Sequence, residues 1–232
     1  MSGSLDSAPA SRVSGALDSA PASRVSGIVL AGGRSSRFGG AKLDADFGGR
    51  PVLDVTVAAL RPAVSEIVIV GPASESRALD RFESQPDVTL VHDARPFGGP
   101  LAGLGEGLVA ASHEVALVVG GDMPLVRAAL LEALSARLVD GGGNAVTLEA
   151  MPPNPLPVAL RRIAALRATR ELLERGERSL RALLADLRAD SIPALEWQRL
   201  DPLGDSLLDV DRPEDLAQAV ARIGRGERGG RA

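Results

Sequence analysis

The stretch that most constrains the fold of this chain is a short apolar run, residues 27–31, that opens directly into a glycine-rich loop over residues 32–40. Glycine has no Cβ, so the backbone N–H groups of such a loop can turn toward an anion and approach it closely. The loop carries Arg34 and Arg37 and is followed by Lys42, the one lysine of the chain. Cations at this spacing match the charge of a string of phosphates. The pattern favours a phosphate-binding turn over a glycine-rich turn that binds nothing.

The loop matches neither of the two commonest nucleotide-binding patterns. A P-loop would place Ser or Thr after the lysine, whereas Leu43 follows Lys42. A dinucleotide fingerprint would read Gly-x-Gly-x-x-Gly, whereas the pair Gly32-Gly33 is followed by no glycine until Gly39. The sequence therefore indicates a different kind of phosphate-binding turn.

The loop resembles the signature Leu-Ala-Gly-Gly-x-Ser-x-Arg-hydrophobic-Gly-x-x-Lys of the nucleotidyltransferases related to molybdenum cofactor guanylyltransferase. The residues that match it are Leu30, Ala31, Gly32, Gly33, Ser35 (or Ser36), Arg37, Phe38, Gly39 and Lys42. Phe38 stands where that family usually has methionine. The resemblance covers about residues 27–222, because further motifs of the family occur in the family's order.

Composition excludes several other classes of function. The chain has no cysteine and two histidines, so disulfides, thiolate metal sites and a histidine-rich zinc site are excluded. Aromatic residues make up 2% of the 232 residues and the net charge is −4, which argues against a nucleic-acid partner. No apolar run approaches the ~20 residues that span a membrane, and the N-terminus lacks the apolar core of a signal peptide. We expect a cytoplasmic enzyme with no membrane partner.

Short apolar runs alternate with helix-length segments along the first half of the chain. The runs fall at residues 27–31, 66–70, 88–91 and 115–119. This alternation is typical of a parallel sheet covered by helices on both faces. It predicts an α/β fold: a single Rossmann-like three-layer domain over residues 27–223 with a mostly parallel central sheet. The loops that follow these strands then meet at the carboxyl edge of the sheet, where ligands bind.

The second half and the two ends are less regular. Residues 1–26 form a leader in which Leu5–Gly15 recurs as residues 17–27, and residues 224–232 form an arginine- and glycine-rich tail; both are predicted to be disordered. The residue pattern predicts a proline-rich edge segment at 152–160, strands at 192–200 and 206–209, and a helix over 213–223.

Asp122 directly follows a buried apolar run, between Gly121 and Met123-Pro124. A carboxylate in this position suits a hard cation such as Mg²⁺, which takes one or two carboxylates plus phosphate oxygens. The alternative is a helix N-cap. The element Gly121–Pro124 also reproduces the Gly-Asp-x-Pro element of the family, which implies the metal role.

Asp209 and Asp211 form a second acidic pair, and alternate residues of a strand share a face. The family has an Asn- or Asp-containing element here, ending in Pro-Glu-Asp-Leu, and its guanylyltransferases usually carry asparagines where this chain carries aspartates. The resemblance makes Asp209 a second metal ligand or an acceptor contact. Asp211 either shares that role or caps the helix that begins at Pro213.

Two further segments resemble family elements. Asp93 with the segment 98–103 resembles the part that lies by the base and sugar of the nucleotide, and a carboxylate there can accept from both N1–H and the amino group of guanine. The alternative is a plain β–α turn with Pro100 at the start of a helix. Residues 154–161 resemble a stretch near the acceptor, with Asn154 in place of glutamine.

The resemblance implies transfer of a nucleoside monophosphate to a phosphorylated small-molecule acceptor, with GTP as donor, molybdopterin as acceptor, Mg²⁺ as cofactor and pyrophosphate as product. It also implies contacts with other cofactor-biosynthesis proteins. The catalytic residues are then Lys42, Arg37 and Asp122, and the metal ligands Asp122 and Asp209. The nucleotide-binding residues are Leu30, Ala31, Gly32, Gly33, Arg34, Ser35, Gly39, Lys42, Asp93, Gly99, Pro100 and Gly103. The alternatives are a cytidylyltransferase or another nucleotidyltransferase acting on molybdopterin or another phosphorylated metabolite, and, from another class, a non-catalytic nucleotide-binding partner protein.

Overall fold

The computed structural model describes residues 24–32, 38, 42–72, 77–93 and 98–229. Its strands are β1 (Val25–Leu30), β2 (Glu66–Pro72), β3 (Val88–Asp93), β4 (Val115–Gly120), β5 (Ala145–Leu148), β6 (Val158–Arg161) and β7 (Asp190–Ile192). Its α-helices are α1 (Val52–Leu60), α2 (Arg77–Asp80), α3 (Gly99–Ala110), α4 (Ala128–Gly141), α5 (Arg162–Glu174), α6 (Leu180–Asp186), α7 (Ala194–Trp197) and α8 (Pro213–Gly229). Short 3₁₀ helices lie at Lys42–Asp44, Arg61–Ala63 and Asp205–Leu207.

The seven strands form one sheet in the order β3-β2-β1-β4-β6-β5-β7. Strands β1 to β4 run parallel, with Leu30 of β1 beside Val70 of β2 and Gly120 of β4. Within the part of the chain that the structure describes, β6 alone runs antiparallel to its neighbours. The carboxyl ends of β1 and β4 therefore lie side by side at one edge of the sheet. The predicted α/β fold with a mostly parallel sheet is confirmed.

Alternate residues of the central strands feed two cores, one on each face of the sheet. Val29 of β1 packs with Leu53 and Leu60 of α1 and with residues of α4, whereas the adjacent Ile28 packs with Leu104 and other residues of α3. Both strand residues are fully buried. The period-2 alternation of side chains across a strand thus produces a layer of helices on each face.

A third, smaller cluster lies outside the main layers. Phe47, Val52, Val210 and Ala219 are buried together, and they join the residues before α1 to the segment before α8 and to α8 itself. This cluster fixes the segment that carries Asp209 and Asp211 against the body of the domain.

Several predictions from the second half were wrong. The predicted strand over 192–200 contains α7, because Trp197 is buried there and its Nε1 donates to the carbonyl of Glu149 at 2.9 Å. The predicted strand over 206–209 begins as a 3₁₀ turn, in which the amide of Ser206 donates to Oδ2 of Asp201 at 2.7 Å.

The proline-rich stretch leads into β6, which is not an edge strand but lies between β4 and β5. The first strand also begins two residues before the predicted boundary at residue 27, because the carbonyl of Val25 accepts from the amide of Ser65 at 2.9 Å.

The helix α8 continues through Gly229, so the predicted disordered tail is helical as far as that residue. Once a helix has begun, each further residue adds a hydrogen bond, and the glycines reduce its stability by about 1 kcal/mol each without ending it. Most of the predicted leader, residues 1–23, lies outside the described residues. None of the helices that the structure describes is both long and apolar enough to cross a bilayer.

Candidate active site

The turns after β1 and β4 are joined by their backbones. The amide of Gly121 donates to the carbonyl of Leu30 at 3.0 Å, and the amide of Ala31 donates to the carbonyl of Val70 at 2.7 Å. A Cβ at Gly121 would be crowded, because it would lie 3.2 Å from Cδ1 of Leu53 and 3.3 Å from the Cα of Ala31. The start of the glycine-rich loop and the turn that carries Asp122 are therefore neighbours, as the strand order requires.

Lys42 lies at the centre of the site. Its Nζ donates to Oδ2 of Asp122 and, at 3.0 Å, to Oδ1 of Asp211. The Lys42 side chain is 16% exposed. Burial by itself lowers the pKa of Lys42, but the charges and hydrogen bonds of Asp122 and Asp211 outweigh it, so the pKa lies above its ordinary value. Lys42 is therefore a permanent point charge at the carboxyl edge of the sheet.

A surface ion pair network holds the 3₁₀ helix that carries Lys42. Arg81 donates from Nη1 to Asp44 at 2.9 Å and from Nε to Asp54 of α1 at 3.0 Å. Asp44 belongs to the same turn as Lys42, so Arg81 ties that turn to α1. No local pattern indicated a role for Arg81, because its partners lie 27 and 37 residues away.

Three hydrogen-bonding contacts stabilise the turn that carries Asp122. The buried hydroxyl of Thr56 in α1 donates to the carbonyl of Gly121 at 3.1 Å. The amide of Val210 donates to the carbonyl of Asp122 at 2.9 Å. The amide of Gly120 lies 3.2 Å from Sδ of Met123. Sequence reasoning missed Thr56, since a single hydroxyl within an apolar helix is not specific for any role.

Asp122 does not cap a helix. The following helix, α4, begins at Ala128 with Arg127 as its N-cap residue, and the Asp122 carboxylate contacts Lys42. The alternative interpretation of Asp122 as an N-cap is therefore wrong.

The segment 209–211 brings two more carboxylates to the same place. Burial and the negative charges of Asp122 and Asp211 raise the pKa of Asp209 to about 7, against the opposing effect of Lys42. Asp211 is half-exposed and accepts from Lys42. Asp215 caps α8 instead, because its Oδ2 accepts from the amides of Asp211 and Arg212 at 3.1 and 2.8 Å. The structure therefore places Asp211 with the site and not at the helix cap.

The donor set near Lys42 suits a hard cation only in part. Asp122 and Asp209 are the carboxylates that could bind a metal, and oxygen ligands are those that Mg²⁺ prefers. Among the residues described, no group of three or more His, Cys, Asp or Glu side chains has the geometry of a metal site. Two carboxylates do match the share that protein normally contributes when substrate phosphates and water complete the shell. Three carboxylates around one ammonium also leave negative charge that a cation would balance.

The predicted base and sugar segment forms the start of α3. Gly99 has a φ of +76°, and a Cβ there would lie 3.2 Å from the carbonyl oxygen of Arg178. That carbonyl accepts from the amide of Leu101 at 3.3 Å. Pro100 is exposed in the first turn, whereas Gly103 packs against Val70. The close approach of the turn before α6 accounts for Gly99 without any ligand.

Several predicted site residues fall outside the described part of the chain. These are Gly33, Arg34, Ser35, Arg37 and Gly39, together with the side chain of Asp93. Their roles stay predictions.

The structure separates the two ends of the predicted acceptor stretch. Asn154 lies on the side of the site, where its Nδ2 donates to the carbonyl of Leu207 at 3.4 Å. Arg161 pairs with Val115 at the beginning of β4, and it donates to Glu114, at the edge of the sheet opposite to Asp122. Because β6 runs antiparallel to β4, the stretch leads away from the site, and Arg161 lies at its far end.

The fold is that of the nucleotidyltransferases. Molybdopterin-guanine dinucleotide biosynthesis protein A from Archaeoglobus fulgidus superposes with a TM-score of 0.73 at 21% sequence identity, over 86% of this chain and 99% of that protein. This likeness concerns the fold alone.

The chain belongs to the family of the MobA-like NTP transferase domain, whose model matches residues 27–192. A probable molybdenum cofactor guanylyltransferase from Chloroflexus aggregans is 35% identical over 204 aligned residues, in a match that covers 85% of this chain and 94% of the relative. One of the same description from Haloferax mediterranei is 33% identical over 84% of this chain and 92% of that protein. The family predicted from the glycine-rich loop is confirmed, and the chain is a nucleotidyltransferase.

Proposed function

We propose that this enzyme transfers GMP from GTP to molybdopterin and releases pyrophosphate. The donor and acceptor follow the descriptions of its relatives, which are named molybdenum cofactor guanylyltransferases. The observation that carries the proposal is the contact of Lys42 with Asp122 at the carboxyl edge of the sheet, beside the start of the glycine-rich loop. Binding alone would need no carboxylate opposite the lysine, so this pair favours a catalyst over a nucleotide-binding partner protein.

The chemistry needs no histidine or serine base. A phosphate oxygen of the acceptor attacks the α-phosphorus of GTP, the bond from that phosphorus to the β-phosphate oxygen breaks, and pyrophosphate leaves with its electron pair. Because the attacking phosphate is already anionic, catalysis depends on positioning and on neutralising charge. The groups around Lys42 can supply both the positioning and the neutralising charge.

Each part of the site has a proposed task. The backbone from Leu30 through the glycine-rich loop, with Arg34, Ser35 and Arg37, binds the phosphates. Lys42 stabilises the negative charge that develops on the phosphoryl oxygens during transfer. The start of α3, with Asp93, lies at the base and sugar.

We assign Mg²⁺ to Asp122 and Asp209. The ion would supply positive charge to the phosphate oxygens when the nucleotide is bound. Asp122 is held for this task by Thr56 and Val210, and Asp209 is held by the burial of the adjacent Val210.

The test combines a panel of nucleotides with the proposed acceptor. The purified protein is incubated with Mg²⁺, molybdopterin and each of GTP, ATP, CTP and UTP, labelled at the α-phosphate. With GTP we expect pyrophosphate and a labelled molybdopterin dinucleotide. The rate with GTP should exceed that with ATP roughly tenfold or more, because the carboxylate of Asp93 can accept from N1–H of guanine but would face an unprotonated acceptor at N1 of adenine. A labelled product with CTP alone would support the cytidylyl alternative. Binding of GTP with no turnover would support the non-catalytic alternative.

A further inference from the structure

A second cluster of charged residues lies outside the groups around Lys42. It consists of Asp201, Asp205, Arg127 and Arg222, which we call the Asp205 clasp. Asp205 accepts from Nη2 of Arg127 at 2.9 Å through one oxygen and from Nη1 of Arg222 at 2.7 Å through the other. Asp201 lies 3.0 Å from Nε of Arg127. The two positive and two negative charges of the clasp balance one another.

The clasp joins three segments that border the site. Arg127 follows Asp122 by five residues in the connection between β4 and α4, and Asp205 precedes Asp209 by four residues. Arg222 belongs to α8, the helix that begins two residues after Asp211. The clasp therefore fixes the position of the Asp209–Asp211 segment relative to both the Asp122 turn and α8.

Further hydrogen bonds connect the same segments. The amide of Arg127 donates to the hydroxyl of Ser206 at 3.0 Å, and the amide of Val210 donates to the carbonyl of Asp122 at 2.9 Å. Asp205 directly precedes Ser206 and lies five residues before Val210, so a shift of its turn would be transmitted to both contacts.

The burial of the carboxylates makes the arrangement of the clasp specific. The side chain of Asp201 is fully buried and that of Asp205 is 8% exposed, whereas that of Arg127 is 43% exposed. Exposed ion pairs contribute little to stability. A buried carboxylate that loses its partner is left uncompensated, which is strongly unfavourable. The turn at 205–207 therefore has one favourable position, in which Asp205 accepts from the guanidinium groups of both Arg127 and Arg222.

We propose that Asp205 is a positioning residue for nucleotidyl transfer: through Arg127 and Arg222 it sets the place of Asp209 and Asp211 relative to Asp122 and Lys42. This inference rests on the proposed function. Asp205 touches no reacting group; it acts by holding the segment that carries the two aspartates.

The test compares Asp205→Asn with Glu66→Gln in the full chain. Both exchange a carboxylate for an amide, but Glu66 lies at the start of β2, away from the site. We expect Asp205→Asn to lower kcat by about tenfold, because small displacements of catalytic groups reduce rates steeply, while the dissociation constant for GTP with Mg²⁺ stays within twofold of wild type. Glu66→Gln should leave kcat within twofold.

A second pair of variants and a second readout keep the test independent of folding and of the acceptor. Arg222→Met removes one guanidinium of the clasp and should lower kcat, and Arg222→Lys should restore part of it because the charge remains. Hydrogen exchange at residues 206–210 should speed up in Asp205→Asn and Arg222→Met, while exchange in β4 stays unchanged.

The outcomes separate the two proposals. If wild type forms no labelled dinucleotide, the proposed function fails, and the exchange data alone decide whether Asp205 holds the segment. If wild type is active and folded Asp205→Asn matches Glu66→Gln in kcat and in exchange at 206–210, the positioning role of Asp205 is overturned.

Discussion

The ammonium of Lys42 is shared between Asp122, eighty residues further along the chain, and Asp211, with Nζ 3.0 Å from Oδ1 of Asp211. A triphosphate that binds beside Lys42 must compete with these carboxylates for the same charge. Asp211 is the more exposed of the two, at 50% against 19%. When a triphosphate binds, breaking the contact of Lys42 with Asp211 should therefore cost less free energy than breaking its contact with Asp122.

Asp211→Asn should tighten the binding of GTP. The substitution removes one negative charge from the vicinity of a polyanion and frees Lys42, and the half-exposed position limits the gain to about threefold. Titration calorimetry with GTP and Mg²⁺ measures it, with Asp186→Asn on α6 as a charge-matched control. Binding weakened more than threefold would instead identify Asp211 as a metal ligand.

Glu66→Gln should destabilise the protein in a manner that depends on pH. The carboxylate of Glu66 accepts from the hydroxyl of Ser26 at 2.6 Å and from the amide and hydroxyl of Ser112. Burial by itself raises the pKa of Glu66, but these hydrogen bonds outweigh it and hold the pKa below its ordinary value. A depressed pKa means that the stabilisation is present above the ordinary value and is lost as the pH falls through the folded value.

We expect Glu66→Gln to reduce the free energy of unfolding by about 1 kcal/mol at pH 7, a modest value since the group is partly exposed. The difference from wild type should shrink below about pH 4. Urea denaturation at several pH values measures both. A difference that is constant with pH would show that the charge of Glu66 contributes nothing.

Thr56→Val should affect the Asp122 turn while preserving the shape of the core. The hydroxyl oxygen of Thr56 lies 3.1 Å from the carbonyl oxygens of both Val52 and Gly121, which share its single proton, and valine keeps the volume but removes that donor. We expect a loss of about 1–2 kcal/mol in stability and a reduced kcat. Thr56→Ser, which keeps the donor, should retain most of the wild-type kcat. Equal kcat values for Thr56→Val and wild type would show that the hydroxyl does not position Asp122.

Two glycines of the predicted nucleotide site should respond differently to alanine. A Cβ on Gly32 would meet nothing within 4 Å, whereas one on Gly99 would lie 3.0 Å from Cβ of Arg178, in a backbone with φ of +76°. Gly99→Ala should therefore lower the melting temperature. Gly32→Ala should leave it unchanged and weaken GTP binding, if the backbone at Gly32 approaches phosphate closely. Unchanged GTP affinity in Gly32→Ala would remove Gly32 from the phosphate site.

The parts of the molecule that follow local rules could be predicted from the sequence. The spacing of the apolar runs located β1 to β4. Because parallel strands bring their carboxyl ends to one edge of the sheet, the proximity of the loops that carry Lys42 and Asp122 could also be predicted. The region after residue 148 depends on contacts between distant segments. Trp197 forms a helical turn because Glu149 accepts from its ring, and β6 reverses the direction of the chain and takes Arg161 away from the site.

The Asp205 clasp is the strongest example of what the sequence did not reveal. Its ion pairs join residues 78 and 17 positions apart, and arginines and aspartates are too common in this chain for a particular pair to be recognised. Nothing in the local pattern distinguishes Asp205 from a solvated carboxylate.

The central claim is that Lys42 and Asp122 form the catalytic centre. Its most direct test is the steady-state release of pyrophosphate against Mg²⁺ concentration for Lys42→Ala, Lys42→Arg and Asp122→Asn, with circular dichroism confirming that each variant is folded. We expect Lys42→Ala to lower kcat by roughly 10²–10³-fold, since it removes one preorganised donor. Lys42→Arg should recover part of this, because a planar guanidinium cannot replace a compact ammonium between two carboxylates. Asp122→Asn should be most impaired at low Mg²⁺ and partly rescued by excess metal. Folded Lys42→Ala and Asp122→Asn proteins that turn over within threefold of wild type would contradict this placement of the active site.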